Sequence, residues 1–238
     1  MRGICTLLLA AAPAFAADLC ASKDFLGAYG FMLAGQTGIS GRTQPTASIG
    51  RIVLDGSGNL SGYSSVNFNG YFLGNPVTGK YEIGSDCEVT WSLQDDSGAF
   101  QHFAGHAKPD ASAVEFHQSD PDTKGVTGRL EKISSDCSAA AFQGRFQWTL
   151  SGVMTPFSGN GAQAIGVSGS ADVDGDGNLA LTENGRQTAG TYQIDDDCFV
   201  DIAYDDKKLR GVLVRNGKAL MMIETDPKAT GAGRFTAE

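Results

Sequence analysis

The sequence GKYEIGSDC at residues 79–87 recurs as GTYQIDDDC at residues 190–198, with Gly, Tyr, Ile, Asp and Cys at equivalent places. Other short segments recur around these two in unchanged order: DGSGNL at 55–60 and DGDGNL at 174–179, NG at 69–70 and 184–185, and SDP at 119–121 and TDP at 225–227. Self-similarity that keeps its order over about a hundred residues indicates an internal repeat. We therefore interpret the chain as two tandem copies of one structural unit, spanning residues 17–133 and 134–238.

The cysteines follow the same duplication. Of the five in the chain, Cys5 lies in the N-terminal segment, and each repeat contains two of the others, at Cys20 and Cys87 and at Cys137 and Cys198. An even number of cysteines in an exported chain indicates disulfides, although four cysteines allow three pairings. The repeat favours one bond within each unit, Cys20–Cys87 and Cys137–Cys198. Each closes a long loop, which the chain-entropy model values at about 4 kcal/mol.

Hydrophobic side chains alternate with smaller or polar ones at the start of each unit. The large apolar residues on this alternating face are Phe25, Tyr29, Phe31 and Leu33 in the first copy and Phe142, Phe146, Trp148 and Leu150 in the second. A period of two is typical of a half-buried β-strand. About eight such runs per unit, separated by Gly, Asn and Asp turns, predict an all-β protein of two tandem eight-stranded antiparallel up-and-down β-barrels. Two β-sandwich domains are the alternative.

The N-terminus has the features of an export signal. Arg2 is followed by an apolar run at residues 7–12 and by the small-x-small sequence Ala14-Phe15-Ala16. This pattern predicts a signal peptide at residues 1–16 and a periplasmic or extracellular mature protein, with no further membrane span. The formal charge of −9 disfavours nucleic acids and anionic membrane surfaces as partners.

Two features of the strands resemble a known family. Gly27-Ala28-Tyr29 and Gly144-Arg145-Phe146 resemble the Gly-x-Trp start of lipocalin-type (calycin) barrels, and Arg129 and Arg234 resemble the arginine of their last strand. The resemblance implies a closed barrel in which each arginine packs over the ring of the first strand in a structural role. The whole pattern also resembles secreted tandem-repeat proteins of soil bacteria, a group without a settled function.

A barrel of eight strands is just wide enough to be filled by side chains or to hold one small ligand. Ring-bearing residues on the predicted inner face are therefore candidates to line a ligand cavity: Tyr29, Phe31, Trp91, Phe146 and Trp148. Large rings favour the filled alternative. The sequence predicts either a binding cavity or an aromatic core at these five positions.

Residues 172–183 match the spacing of a calcium-binding loop. The candidate ligands are Asp172, Asp174, Asp176, Asn178 and Glu183, with Gly177 at the sharp turn. Carboxylates at this spacing wrap a hard cation in EF-hands. The first copy forms the equivalent segment without these carboxylates, so a plain hairpin turn is the alternative. Calcium is the one candidate cofactor.

The three histidines suggest a second candidate metal site. If Pro109-Asp110 is a two-residue hairpin turn, His102 lies directly opposite His117, close enough to share a transition metal. Neighbouring Phe103 and Phe116 occupy the other, inner face. An exposed polar surface is therefore the alternative.

The sequence says less about the function than about the fold. The sequence contains no Gly-x-Ser-x-Gly elbow, phosphate loop or dinucleotide fingerprint, so we identify no catalytic residues. We consider a non-enzymatic protein that binds a small apolar ligand or an envelope partner, a structural or surface-interaction protein with filled barrels, and, least favoured, a small-barrel cyclase or isomerase. An apolar cavity above about 300 Å³ would favour the first, whereas filled barrels would favour the second.

Overall fold

The computed structural model describes residues 20–39, 42–96, 98, 100–120, 125–133 and 136–238. These residues form two closed antiparallel barrels of eight strands each, which confirms the predicted fold class. The predicted signal peptide lies outside the described residues.

The strands of both barrels follow one another around the barrel in chain order. The first barrel consists of β1 (Leu26–Ile39), β2 (Arg42–Asp55), β3 (Asn59–Phe68), β4 (Tyr71–Ile83), β5 (Glu88–Asp95), β6 (Phe100–Ala107), β7 (Ala113–Asp120) and β8 (Thr127–Lys132). The second consists of β9 (Gln143–Met154), β10 (Ala164–Asp174), β11 (Asn178–Glu183), β12 (Arg186–Ile194), β13 (Phe199–Tyr204), β14 (Lys207–Val214), β15 (Ala219–Glu224) and β16 (Ala229–Ala237). The described helical segments are single 3₁₀ turns at Ser22–Asp24, Ala139–Ala141 and Pro156–Ser158.

Each barrel closes where its first strand pairs with its last. Tyr29 of β1 pairs with Lys132 of β8, and Phe146 of β9 pairs with Ala237 of β16. Because every strand then has two neighbours, the barrel leaves no unpaired strand edge. Short turns make this up-and-down arrangement feasible, as at Asn69, whose positive φ of 49° suits a two-residue hairpin.

The two disulfides lie at the same end of their barrels. The bonds are Cys20–Cys87 and Cys137–Cys198, as the repeat predicted. A 3₁₀ turn covers this end, and a buried tyrosine of the fourth strand ties it down: Tyr81 Oη donates to Phe25 O at 3.4 Å, and Tyr192 Oη donates to Phe142 O at 3.1 Å. We call this the disulfide end and the opposite end the open end.

Aromatic rings fill the middle of both barrels. In the first, Trp91 stacks on Phe103 with ring centroids 4.2 Å apart and meets Phe116 edge-on at 4.9 Å. In the second, Trp148 stacks on Phe235 at 6.1 Å. Such stacked and edge-on pairs each contribute about 0.5–1.5 kcal/mol beyond the burial of their area.

A third apolar core joins the two barrels. It contains outward-facing residues of β1 and β2 and of strands β13 to β16: Met32, Ala34, Ala47, Ile49, Phe199, Val212, Val214, Ala219, Met221, Ile223 and Ala232. Gly30 allows the two barrels to approach closely in this core, since a Cβ atom there would lie 2.8 Å from Val212 Cγ1 and 2.9 Å from Val214 Cγ1.

Buried polar groups fix the relative position of the barrels. Asn67 of β3 is fully buried, and its Nδ2 donates to Glu224 O at 2.8 Å and to Ala229 O at 2.9 Å. Its Oδ1 accepts a hydrogen bond from Thr230 Oγ1 at 3.0 Å. Since each of these bonds would be left unmet in an apolar interface if the barrels shifted, Asn67 selects one orientation.

The expected packing of the last-strand arginines over first-strand rings was wrong. Arg129 and Arg234 instead both form ion pairs with Glu131, a residue that is 1 % exposed between the barrels. The reason is strand alternation: Leu130 and Phe235 point inward, so their arginine neighbours point outward. The cation near the first-strand ring is Lys132, whose Nζ lies 5.9 Å from the centroid of Tyr29.

Candidate functional site

The five ring residues predicted to line a cavity form the filled cores. Tyr29, Phe31, Trp91, Phe146 and Trp148 are each less than 5 % exposed, and none of them lines the space at the open ends. Tyr29 also uses its hydroxyl inside the core, donating to Ala111 O at 2.8 Å. The cavities at the open ends of the two barrels are each smaller than the 300 Å³ that a drug-sized apolar ligand requires. Trp91 also borders a more open groove of about 350 Å³.

The open end of the first barrel has a cavity of about 110 Å³ with mostly polar walls. Hydroxyl and amide side chains dominate the lining: Thr37, Thr46, Ser48, Ser64, Asn75, Gln101 and Gln118. Leu33, Val66, Val77 and Leu93 contribute the apolar part, and Asp95 the carboxylate. This cavity presents hydroxyls, amides and one carboxylate to a small guest.

The open end of the second barrel has a larger cavity, about 190 Å³, with a different character. Its apolar walls come from β9, β10 and β16: Leu150, Met154, Ile165, Val167 and Ala229. Charged residues complete the lining: Asp206, Lys207, Glu224, Asp226 and Lys228. Compared with the first barrel, apolar surface replaces most of the hydroxyls and charge replaces the neutral amides.

Gln118 and Glu224 are the equivalent residues of the two cavities. Each immediately precedes the repeated Ser/Thr-Asp-Pro segment, and each is buried, at 4 % and 3 % exposure. Both are at the end of the strand that follows the sixth turn of their unit, β7 and β15. Equivalent positions of the two repeats therefore hold a neutral amide in the first cavity and a carboxylate in the second.

Glu224 has an unusual environment for a carboxylate. Burial raises its pKa to about 7; Lys207 opposes this shift and Asp226 adds to it. Its Oε1 atom is buried and has no hydrogen-bond partner among the described residues. Hydrogen bonds from the backbone N–H groups of Asp226 and Lys208 lower the pKa of the same carboxyl. A buried carboxylate oxygen without a partner still costs free energy, so Oε1 of Glu224 is the strongest sign of a binding site in the molecule.

Two further polar atoms of the second barrel lack partners within the described part of the chain. They are Tyr204 Oη and Trp148 Nε1, and the two rings lie edge-on at 6.3 Å. Burial, and after it Glu224, raises the pKa of the Tyr204 hydroxyl. The interior of this barrel around Tyr204 and Trp148 is therefore more polar than its aromatic composition suggests.

The predicted calcium ligands are not gathered around one point. Asp174 Oδ1 accepts hydrogen bonds from the backbone N–H of Asp176 at 2.7 Å and of Asn178 at 3.0 Å, as in the turn at Asp55. Residues 178–183 continue as strand β11, which puts Glu183 about 17 Å from the turn at the usual rise per residue. Within the described ranges, no three His, Cys, Asp or Glu side chains are arranged to hold a metal ion.

The predicted facing of His102 and His117 was wrong. His102 pairs with Asp120 and His117 with Ala104, because the turn contains Ala111 and Ser112 in addition to Pro109-Asp110 and β6 bulges after His102. His106 Nδ1 instead lies 3.3 Å from Glu88 Oε1 on the exposed surface.

Sequence reasoning missed Glu224, although a signal was present. In β15, Leu220 and Met222 face the barrel interior, so a period of two puts Glu224 on the same inner face. A carboxylate on an inward position of an apolar strand is a stronger indication of a site than an aromatic residue there.

Comparisons with known proteins leave the function open. No family model matches the chain, and no curated protein matches it. Two similar solved structures are a candidate AttH protein of Nitrosomonas europaea (9% identity, TM-score 0.28, covering 98% of this chain and 99% of that chain) and a DUF3598-family protein of unknown function from Nostoc punctiforme PCC 73102 (10% identity, TM-score 0.27, covering 91% and 98%). At these TM-scores the functional proposal rests on this chain's own residues. No described helix is long and apolar enough to cross a membrane.

Proposed function

We propose that the protein is an exported, non-enzymatic binding protein whose barrels hold small ligands at their open ends. The observation that carries this proposal is the buried Glu224 carboxylate in the lining of the second cavity, whose Oε1 atom has no hydrogen-bond partner among the described residues. Natural proteins seldom keep such a group without a partner, and a bound ligand is one source of that partner. The two disulfides agree with export to an oxidising compartment.

The sizes of the cavities restrict the ligand class. An engineered cavity of 150 Å³ is known to hold benzene, so about 190 Å³ suits a compact organic molecule rather than a lipid or a haem. The ligands therefore differ from the apolar molecule, buried among the aromatic rings, that the width of an eight-stranded barrel allowed for. They sit at the mouths of filled barrels.

The test is ligand mapping by NMR. The ¹⁵N-labelled protein is titrated with benzylamine, benzyl alcohol, acetamide and glycerol, and the amide shifts are mapped on the two barrels. We expect saturable shifts confined to the cavity residues of one or both open ends. Shifts scattered over the outer surfaces, or no saturable shift with any of the four probes, would overturn the proposal.

A structural or surface-interaction role is the second candidate, and exposed aromatic residues favour it. Tyr71 is 61 % exposed and Phe157 is 51 % exposed, and their rings meet edge-on at 5.3 Å where the two units adjoin. Exposed apolar clusters often mark protein contacts. The double variant Tyr71→Ser/Phe157→Ser tests this role: sedimentation at increasing concentration should show self-association in the parent and not in the variant.

A further inference from the structure

The walls of the second cavity define the body of its ligand. Leu150 and Met154 of β9 and Ile165 and Val167 of the neighbouring strand β10 form a continuous apolar lining in the same cavity as Glu224. Apolar surface of this kind favours a benzene-sized hydrocarbon group, which loses its own contact with water on binding. The cavity is too small for a second large substituent.

The charges around the cavity define the head group. Lys228 is already paired with Asp206, at 3.0 Å, and Lys207 lies over the Tyr204 ring, with its Nζ 5.6 Å from the centroid. Neither lysine comes within ion-pair distance of Glu224 in the described structure. Asp226 lines the same cavity, and Glu183 and Asp205 act electrostatically on Tyr204. Acidic groups therefore outnumber free cations at this mouth.

We infer that the open-end cavity of the second barrel is a site for a compact primary ammonium ion, whose charged nitrogen pairs with Glu224 and whose short apolar body contacts Leu150, Met154, Ile165 and Val167. This inference rests on the proposed ligand-binding function. A charge-assisted N–H···O bond is about twice as strong as a neutral one, so the ammonium group supplies what the Glu224 carboxylate lacks. The first barrel, with Gln118 at the equivalent position, has no such preference.

The alternative occupant is a carboxylate that accepts a hydrogen bond from a protonated Glu224. This would be favoured if Lys207 turned from the Tyr204 ring toward the ligand. Benzoate has the same ring as benzylamine and the opposite charge, and benzyl alcohol is nearly the same size and neutral. The three probes therefore separate the ammonium, carboxylate and uncharged possibilities.

The experiment is calorimetric titration of the mature protein at pH 8 with each probe, repeated with Glu224→Gln and with the control Glu82→Gln, an exposed strand residue of the first barrel. We expect benzylamine to bind at least tenfold more tightly than benzyl alcohol or benzoate. Glu224→Gln should remove this preference, and Glu82→Gln should keep it. Equal affinities, or an unchanged preference in Glu224→Gln, would refute the ammonium site.

A second variant guards against a folding defect in Glu224→Gln. Ile165→Trp fills the cavity from its half-buried wall while leaving Glu224 in place, and it should also abolish benzylamine binding. Binding of benzyl alcohol without an amine preference would leave the proposed function standing and overturn only this inference. Absence of binding by all three probes would overturn this inference, and absence of saturable shifts with acetamide and glycerol as well would overturn the proposed function.

Discussion

The carboxylate of Glu131, in the first barrel, accepts a 2.7 Å hydrogen bond from the guanidinium of Arg234, in the second. Arg129 of the first barrel flanks the same carboxylate. Glu131 is almost fully buried, so its charge is compensated by two arginines rather than by water. The contact makes the stability of each barrel depend on the presence of the other.

Arg234→Leu tests this dependence. Removing one of the two arginines leaves a buried carboxylate half-compensated, and we expect the free energy of unfolding to fall by about 2 kcal/mol. Urea denaturation measures the change. Glu88→Gln, which breaks the exposed pair with His106, is the matched control and should cost less than about 1 kcal/mol. Equal losses in the free energy of unfolding for the two variants would show that the buried ion pair stabilises the protein no more than the exposed one.

Gly30→Ala tests the close approach of the barrels. The added Cβ would lie within 3 Å of Val212 and Val214, so the interface must open, at a cost of about 1–3 kcal/mol. Gly166→Ala on β10 is the control, because its Cβ would meet nothing within 4 Å. We expect chemical denaturation to show a loss for the first variant and a change below about 0.5 kcal/mol for the second. A tolerated Gly30→Ala would contradict the tight packing described here.

Glu224 should make stability depend on pH. Its pKa is raised to about 7 in the folded protein from an ordinary value of 4.5, so its protonated form favours folding. The stabilising effect is complete below the unfolded pKa and is lost as the pH rises toward and through 7, by about 3 kcal/mol.

The difference between the parent and Glu224→Gln isolates this contribution. Unfolding free energies measured from pH 5 to pH 8 should fall in the parent relative to the variant, and the variant should be the more stable protein at pH 8. Parallel curves would show that the Glu224 carboxylate is not strained by burial. Saturating benzylamine should reduce the difference at pH 8.

Calcium offers a test of the Asp172–Glu183 segment. Asp174 caps its turn through hydrogen bonds that lower the pKa of its carboxyl, so Asp174→Ala should lower the melting temperature, and Asp176→Ala should change it less. We expect millimolar calcium to leave all three melting temperatures unchanged. A rise in the parent alone would support the calcium loop predicted from the spacing.

The fold was largely predictable because the features that determine it occur in both repeats, so that each copy supports the interpretation of the other. Cysteines, turn glycines and alternating strands occur in both copies, and each has a local physical cause. Register across the β6–β7 hairpin was not predictable, because two extra turn residues after Asp110 and a bulge after His102 changed which residues face each other. The contacts of Arg129 and Arg234 were predicted wrongly for a related reason. Their partner, Glu131, lies between the barrels, and the sequence of one repeat does not show which of its faces contacts the other repeat.

The inter-barrel core joins two different faces of the repeated unit. The contact is heterologous: β1–β3 of one unit meet β13–β16 of the other, so further units could add to either free face and form a fibre. The free face of the first barrel is polar where this contact is apolar. Where the second barrel has buried Val212, Met221 and Ile223, the first has exposed His106, Glu115 and His117 at the equivalent places. This polar histidine surface disfavours the addition of a further unit to the first barrel through the same apolar contact.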